Sequence, residues 1–123
     1  MKKGSSMTVR VVTYSKALQA WRDATTAGKA VAAARDCAYA ARLVAEEQES
    51  GATRWIEIAN SPESDISTDG FCLDMGRMCN ATAANARRHA EAFRQWADVV
   101  SRCFKPDDPG QKVRREVLLT LPD

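Results

Sequence analysis

Residues 17–45, ALQAWRDATTAGKAVAAARDCAYAARLVA, decide the fold. Taken at alternating steps of three and four, they yield Ala17, Ala20, Ala24, Ala27, Val31, Ala34, Ala38, Ala41 and Ala45. That alternation is a heptad seam, and nearly every position in it is small. A second stretch answers it with Cys72, Gly76, Cys79, Ala83, Ala86, Ala90, Phe93, Ala97, Val100 and Phe104. Two long helices with seams of this kind can lie close together, because little bulk separates their backbones. Ala38 and Ala86 are expected to be buried in that contact, with little room beyond the β-carbon.

The first helix is predicted from Lys16 to Glu49, capped by Ser15 and ended by Ser50–Gly51. Gly28 and the Thr25–Thr26 pair weaken it, Gly by roughly 1 kcal/mol against Ala. The seam keeps its phase across Gly28, which favours one continuous helix. A break there would instead let a short first helix fold back. The second helix is predicted from Gly70 to Phe104, capped by Thr68 or Asp69 and stopped at Lys105–Pro106. Along it Arg77, Arg87, Arg88, Arg94 and Arg102 share one face, and Phe71, Met75, Met78, His89, Phe93 and Trp96 share the other.

The flanks read differently. Thr8–Tyr14 (TVRVVTY) and Val113–Leu121 (VRREVLLTL) are apolar in alternation and read as strands. Both emerge at the same end of the hairpin, the base, and run antiparallel. The expected fold is therefore mostly α: a long antiparallel helical hairpin with a small terminal β-ribbon. Residues 8–123 form a single domain, and residues 1–7 are read as a disordered leader without the apolar core of a signal peptide.

Composition excludes several classes. The chain has 123 residues, 45% of them apolar, and a formal charge of +2, so it holds one modest core and carries no global signature of nucleic-acid binding. No apolar run is long enough to cross a membrane. Cys37, Cys72, Cys79 and Cys103 form no CxxC pair and are all placed on apolar helix faces. With no export signal, reduced thiols in a cytoplasmic protein are expected. There is no Gly-rich phosphate loop, GxSxG or HExxH, so no enzyme is expected.

Three features bear on function. Charge is segregated: Glu46 to Asp69 holds seven acids and one base, whereas the base end carries Lys16, Arg102, Lys105, Lys112, Arg114 and Arg115. Glu46, Glu47, Glu49, Glu63, Asp65 and Asp69 are the candidate partner-binding acids at this tip. Second, each helix carries more apolar surface than one partner helix covers. Leu18, Trp21, Tyr39, Leu43 and Trp96 are therefore expected at a homodimer interface that closes a four-helix bundle. Third, Ala34–Arg42 (ARDCAYAAR) is echoed by Ala86–Arg94 (ARRHAEAFR), a short internal repeat.

His89, the sole histidine, is expected to be partly buried and satisfied. Cys72, Cys79 and His89, with Cys103 beyond, resemble the last two helices of four-helix-bundle copper-storage proteins. That resemblance implies thiolate metal binding. At most of the positions that such proteins fill with cysteine this chain has Ala, Gly, Thr, Val or Trp, so no metal or cofactor is expected. The expected role is a non-enzymatic interaction or regulatory protein that binds a protein partner through its helical surface or acidic tip. The alternatives are a nucleic-acid-binding module using the basic end and a thiolate metal binder.

Overall fold

A computed structural model describes residues 6–62 and 66–122, with side chains described from 14–62 and 70–122. Among the described residues four helices follow one another: α1 (Ser6–Asp23), α2 (Ala27–Ala59), α3 (Ile66–Cys103) and α4 (Gly110–Glu116). Helices α2 and α3 form the long antiparallel hairpin and make the most extensive contact in the protein. The two seams lie in it: Ala27, Val31, Ala34, Ala41 and Ala45 from α2 and Cys72, Ala83, Phe93, Ala97 and Val100 from α3 are buried. Small residues bring the backbones together. A β-carbon on Gly76 would stand 3.1 Å from Ile56 Cγ1 and 3.5 Å from the Ala52 carbonyl oxygen.

Helix α1 folds back along α2, because the expected continuous first helix is broken at Ala24–Thr26. Thr26 is extended (φ −131°, ψ 159°) and caps α2, its Oγ1 accepting from the Lys29 amide at 3.2 Å. The next two free amides of that helix end are satisfied from far along the chain. Ala27 N–H donates to the Asp108 carbonyl at 2.7 Å, and Gly28 N–H to the Pro106 carbonyl at 2.8 Å. A break normally leaves such donors unmet; here the α3–α4 loop supplies the acceptors. Helix α2 also runs on through Ser50–Gly51 to Ala59, and α3 begins at Ile66 rather than Gly70. Gly51 in mid-helix lies against Cys79 Sγ, where a β-carbon would be 3.7 Å away.

The β-ribbon is not formed among the described residues. Thr8–Tyr14 belongs to α1, where the face of Tyr14, Ala17, Leu18 and Trp21 packs on the core and carries the helix through the β-branched run. Intrinsic preferences span only about 1 kcal/mol, and tertiary packing overrides them. Val113 lies in α4 and is fully buried, and residues 117–122 belong to no helix or strand. The alternation read there is real: Leu118 and Thr120 are exposed while Leu119 and Leu121 are partly buried. Its inner face lies on a helix instead of a sheet. Trp96 Nε1 donates to the Val117 carbonyl at 2.6 Å and fixes the segment across α3. One isolated bridge, Thr26 to Pro109, is the only β-pairing among the described residues.

The core therefore sits at the base, where all four helices meet. Phe93 and Val100 are fully buried, Trp96 is 3% exposed, and Trp21 meets Phe93 and Trp96 edge-on at 5.9 and 5.2 Å between centroids. Arg114 clamps the base: one of its guanidinium nitrogens, Nη1, donates to the Trp21 and Ala24 carbonyls, each at 2.9 Å. Those carbonyls end α1, so the cation both caps the helix and meets its negative end. Gly110 lies so close to this end that a β-carbon would stand 2.2 Å from the Ala24 oxygen.

Candidate binding groove

Opposite α1, the hairpin carries an open groove of about 590 Å³ lined by Arg35, Ala38, Tyr39 and Arg42 of α2 and Arg87, Ala90, Glu91 and Arg94 of α3. These are equivalent positions of the internal repeat, Arg35 with Arg87, Ala38 with Ala90, Tyr39 with Glu91 and Arg42 with Arg94. Because α2 and α3 are antiparallel, the two copies face each other about a local twofold. Ala38 and Ala90 form the floor. Ala38 and Ala86 were expected to be fully buried; both are only partly so, since the groove opens beside Ala38 and a small cavity beside Ala86.

The groove is strongly basic, and its charges are unequally engaged. Arg87 holds Glu49 through two bonds, Nε to Oε2 at 2.8 Å and a second to Oε1 at 2.6 Å. Arg94 donates to both oxygens of Glu91 and to Asp98 at 3.1 Å. These bonds hold the Glu49 and Glu91 carboxyls below the ordinary glutamate range. Their contribution is thus present above that range and is lost as the pH falls through the lowered values. Arg35 makes no described hydrogen bond or ion pair, and Arg42 only stacks on the Tyr39 ring, its guanidinium carbon 5.4 Å from the centroid. Tyr39 is 54% exposed. Two available guanidiniums, an exposed aromatic ring and an alanine floor can accept a carboxylate-bearing segment with an apolar edge.

Of the acids read as a tip surface, Glu46, Glu47 and Glu49 have described side chains. Glu63 and Asp65 lie outside the described residues, and Asp69 lies in α3 with its side chain outside them. Glu49 is committed to Arg87, while Glu46 is exposed and Glu47 half-buried. Of the residues assigned to a dimer interface, Trp21 and Trp96 are used in the chain's own core, and Leu18 packs against it. Leu43 is half-buried, and only Tyr39 is well exposed. The fold-back of α1 thus covers much of the apolar stripe within one chain. On the basic end, Arg114 is taken by the α1 carbonyls, whereas Lys16, Arg102, Lys105, Lys112 and Arg115 are exposed.

His89 is satisfied, as its position suggested. The Pro122 carbonyl can only accept, so His89 Nε2 carries the proton and donates to it at 2.9 Å. In neutral His89, Nδ1 is then the acceptor for the Tyr14 hydroxyl at 3.2 Å. Burial raises the Tyr14 phenol. Tyr14, His89 and Asn85 line a second, smaller cavity of about 160 Å³.

The cysteines stand at separate levels of the hairpin, and no group of three or more metal-ligating side chains occurs among the described residues. Cys37 and Cys72 are buried, but Cys103 is exposed, contrary to the reading of all four as apolar-face residues. Arg102 and Cys103 close the last turn of α3, beyond the reach of the core. Burial, reinforced by Asp36, pushes the Cys37 thiol up to about 12. Alkylation at neutral pH should therefore modify Cys103 first and Cys79 next, with Cys37 and Cys72 protected until unfolding. Mass spectrometry after timed iodoacetamide exposure reads this order directly, and early Cys37 modification would contradict the packing of α1.

No helix among the described residues is long and apolar enough to cross a membrane. The fold defines the class as a mostly α protein built on one long helical hairpin. Neither a protein-family model, nor a curated protein, nor a solved structure matches the chain.

Proposed function

We propose that the protein is a non-enzymatic interaction module whose arginine groove receives a helical, acidic segment of a partner protein. The observation behind this is the pairing of two uncommitted arginines, Arg35 and Arg42, with exposed Tyr39 over an alanine floor. A helix laid there would pack on the hairpin face that α1 leaves open, with carboxylates against the guanidiniums. A cytoplasmic setting goes with this reading, since the cysteines are unpaired. Nucleic-acid binding is the weaker alternative, because Glu91 and Asp98 stand among the groove arginines.

The test is a photoreactive residue at position 39, with position 16 on an exposed face as control, irradiated in an extract of the native host. Protein adducts from position 39 that vanish with Arg35→Glu plus Arg42→Glu are expected. Nucleic-acid adducts, or the same protein adducts from position 16, would overturn the assignment.

A further inference from the structure

The groove face is self-complementary, and we infer that its occupant is the tip half of a second copy of this chain, packed antiparallel. This rests on the groove being a helix-binding site. Levels across the hairpin are marked by Ala38 beside Ala90 and by Gly51 against Cys79, which puts Glu46 level with Ala84. Seven-residue spacing keeps residues on one face of packed helices. On the groove face of α2 that spacing runs Arg35, Arg42, Glu49, Ile56, basic toward the base and then acidic and apolar toward the tip. On α3 it runs Arg77, Ala84, Glu91.

Place a twofold axis in the plane of the interface, perpendicular to the helices, at the level of Glu46 and Ala84. Each α2 then lies antiparallel on the other α2, and each α3 on the other α3. Arg42 meets Glu49 of the second copy, which also holds its own Arg87, and Glu91, which holds its own Arg94, meets Arg77 of the second copy, which holds its own Asp74 at 2.9 Å; the axis repeats both contacts, and each adds a second partner to an exposed ion pair. A single axis gives this registry on both helices. The two Glu46 side chains meet near the axis, flanked by Arg42 of both copies. Arg35 and Tyr39 receive Ile56 and Thr53 of the second copy on their stems. Ile56 and Leu73, each 37% exposed in one chain, would be covered. The small residues Ala38, Ala84 and Ala90 permit close approach. The interface is isologous, so it closes at two copies and does not propagate. It lies on the face opposite α1, away from the core where Trp21 of α1 meets Trp96 of α3.

The experiment is sedimentation equilibrium of the purified protein, with Arg77→Glu, Glu91→Arg and the double exchange. These positions are exposed, so helix content by circular dichroism should be unchanged in all three. The parent is expected to dimerise. Each single reversal turns two symmetry-related attractions into repulsions and should weaken the dimer about tenfold, and the double exchange should restore it. A parent that remains monomeric, or single variants that dimerise like the parent, would overturn the inference. In that event, adducts from position 39 to another protein, lost with Arg35→Glu plus Arg42→Glu, would leave the groove reading standing. Absence of any such adduct in a monomeric protein would remove both.

Discussion

Phe93→Ala should lower the unfolding free energy by about 3–5 kcal/mol, the usual cost of truncating a fully buried aromatic side chain. Phe93 is 0% exposed and stands edge-on to Trp21, so its loss opens a cavity between α1 and α3. Natural domains hold only about 5–15 kcal/mol in total, and this variant should sit near the threshold of folding. The cost should be concentrated at the base. Urea titration followed by tryptophan fluorescence measures it, since Trp21 and Trp96 both report there. A loss below about 1 kcal/mol would mean that α1 does not close over α3 as described.

Gly110→Ala should be nearly as severe, at about 2–3 kcal/mol, although it adds a single methyl group. The added carbon would stand 2.2 Å from the Ala24 carbonyl oxygen, a backbone atom that cannot swing aside. Relief requires α4 to withdraw, which also breaks the Gly110 N–H bond to the Thr25 carbonyl and draws Arg114 off the end of α1. Gly70→Ala is the matched control. A β-carbon there meets nothing within 4 Å, and alanine favours the helix, so that variant should be neutral or gain up to about 1 kcal/mol. Thermal unfolding of the pair separates a steric effect from a general sensitivity to glycine replacement.

The hairpin was legible because its seam uses small residues at a strict spacing, which marks helices packed closely along their length. The break before Ala27 was not, although Thr25–Thr26 and Gly28 marked the place. Its stability comes from the carbonyls of Pro106 and Asp108, some eighty residues away in sequence, and no local window contains them. The terminal strands failed for a related reason. Alternating β-branched residues state how a segment would behave on a pleated surface; they do not state that a second strand is available. Residues 117–122 kept the alternation and found α3 instead. The groove was half legible. The echo of Ala34–Arg42 in Ala86–Arg94 was visible, yet only the antiparallel packing turned two similar helical stretches into the facing walls of one site. Glu49 could be read only as one tip acid among several, because its partner, Arg87, comes from the other helix.

The clamp of Arg114 on α1 also sets an order of events in time. Hairpin contacts between α2 and α3 can form as soon as residue 103 has left the ribosome. The junction of α1 with α2 has only its local Thr26 cap until residues 106, 108 and 114 have followed, because the acceptors for the Ala27 and Gly28 amides and the Arg114 guanidinium come from that late segment. During synthesis the nascent chain therefore passes through a stage with a formed hairpin and an unsecured α1, its Trp21 face available to chaperones. Only the stretch that follows α3 closes it.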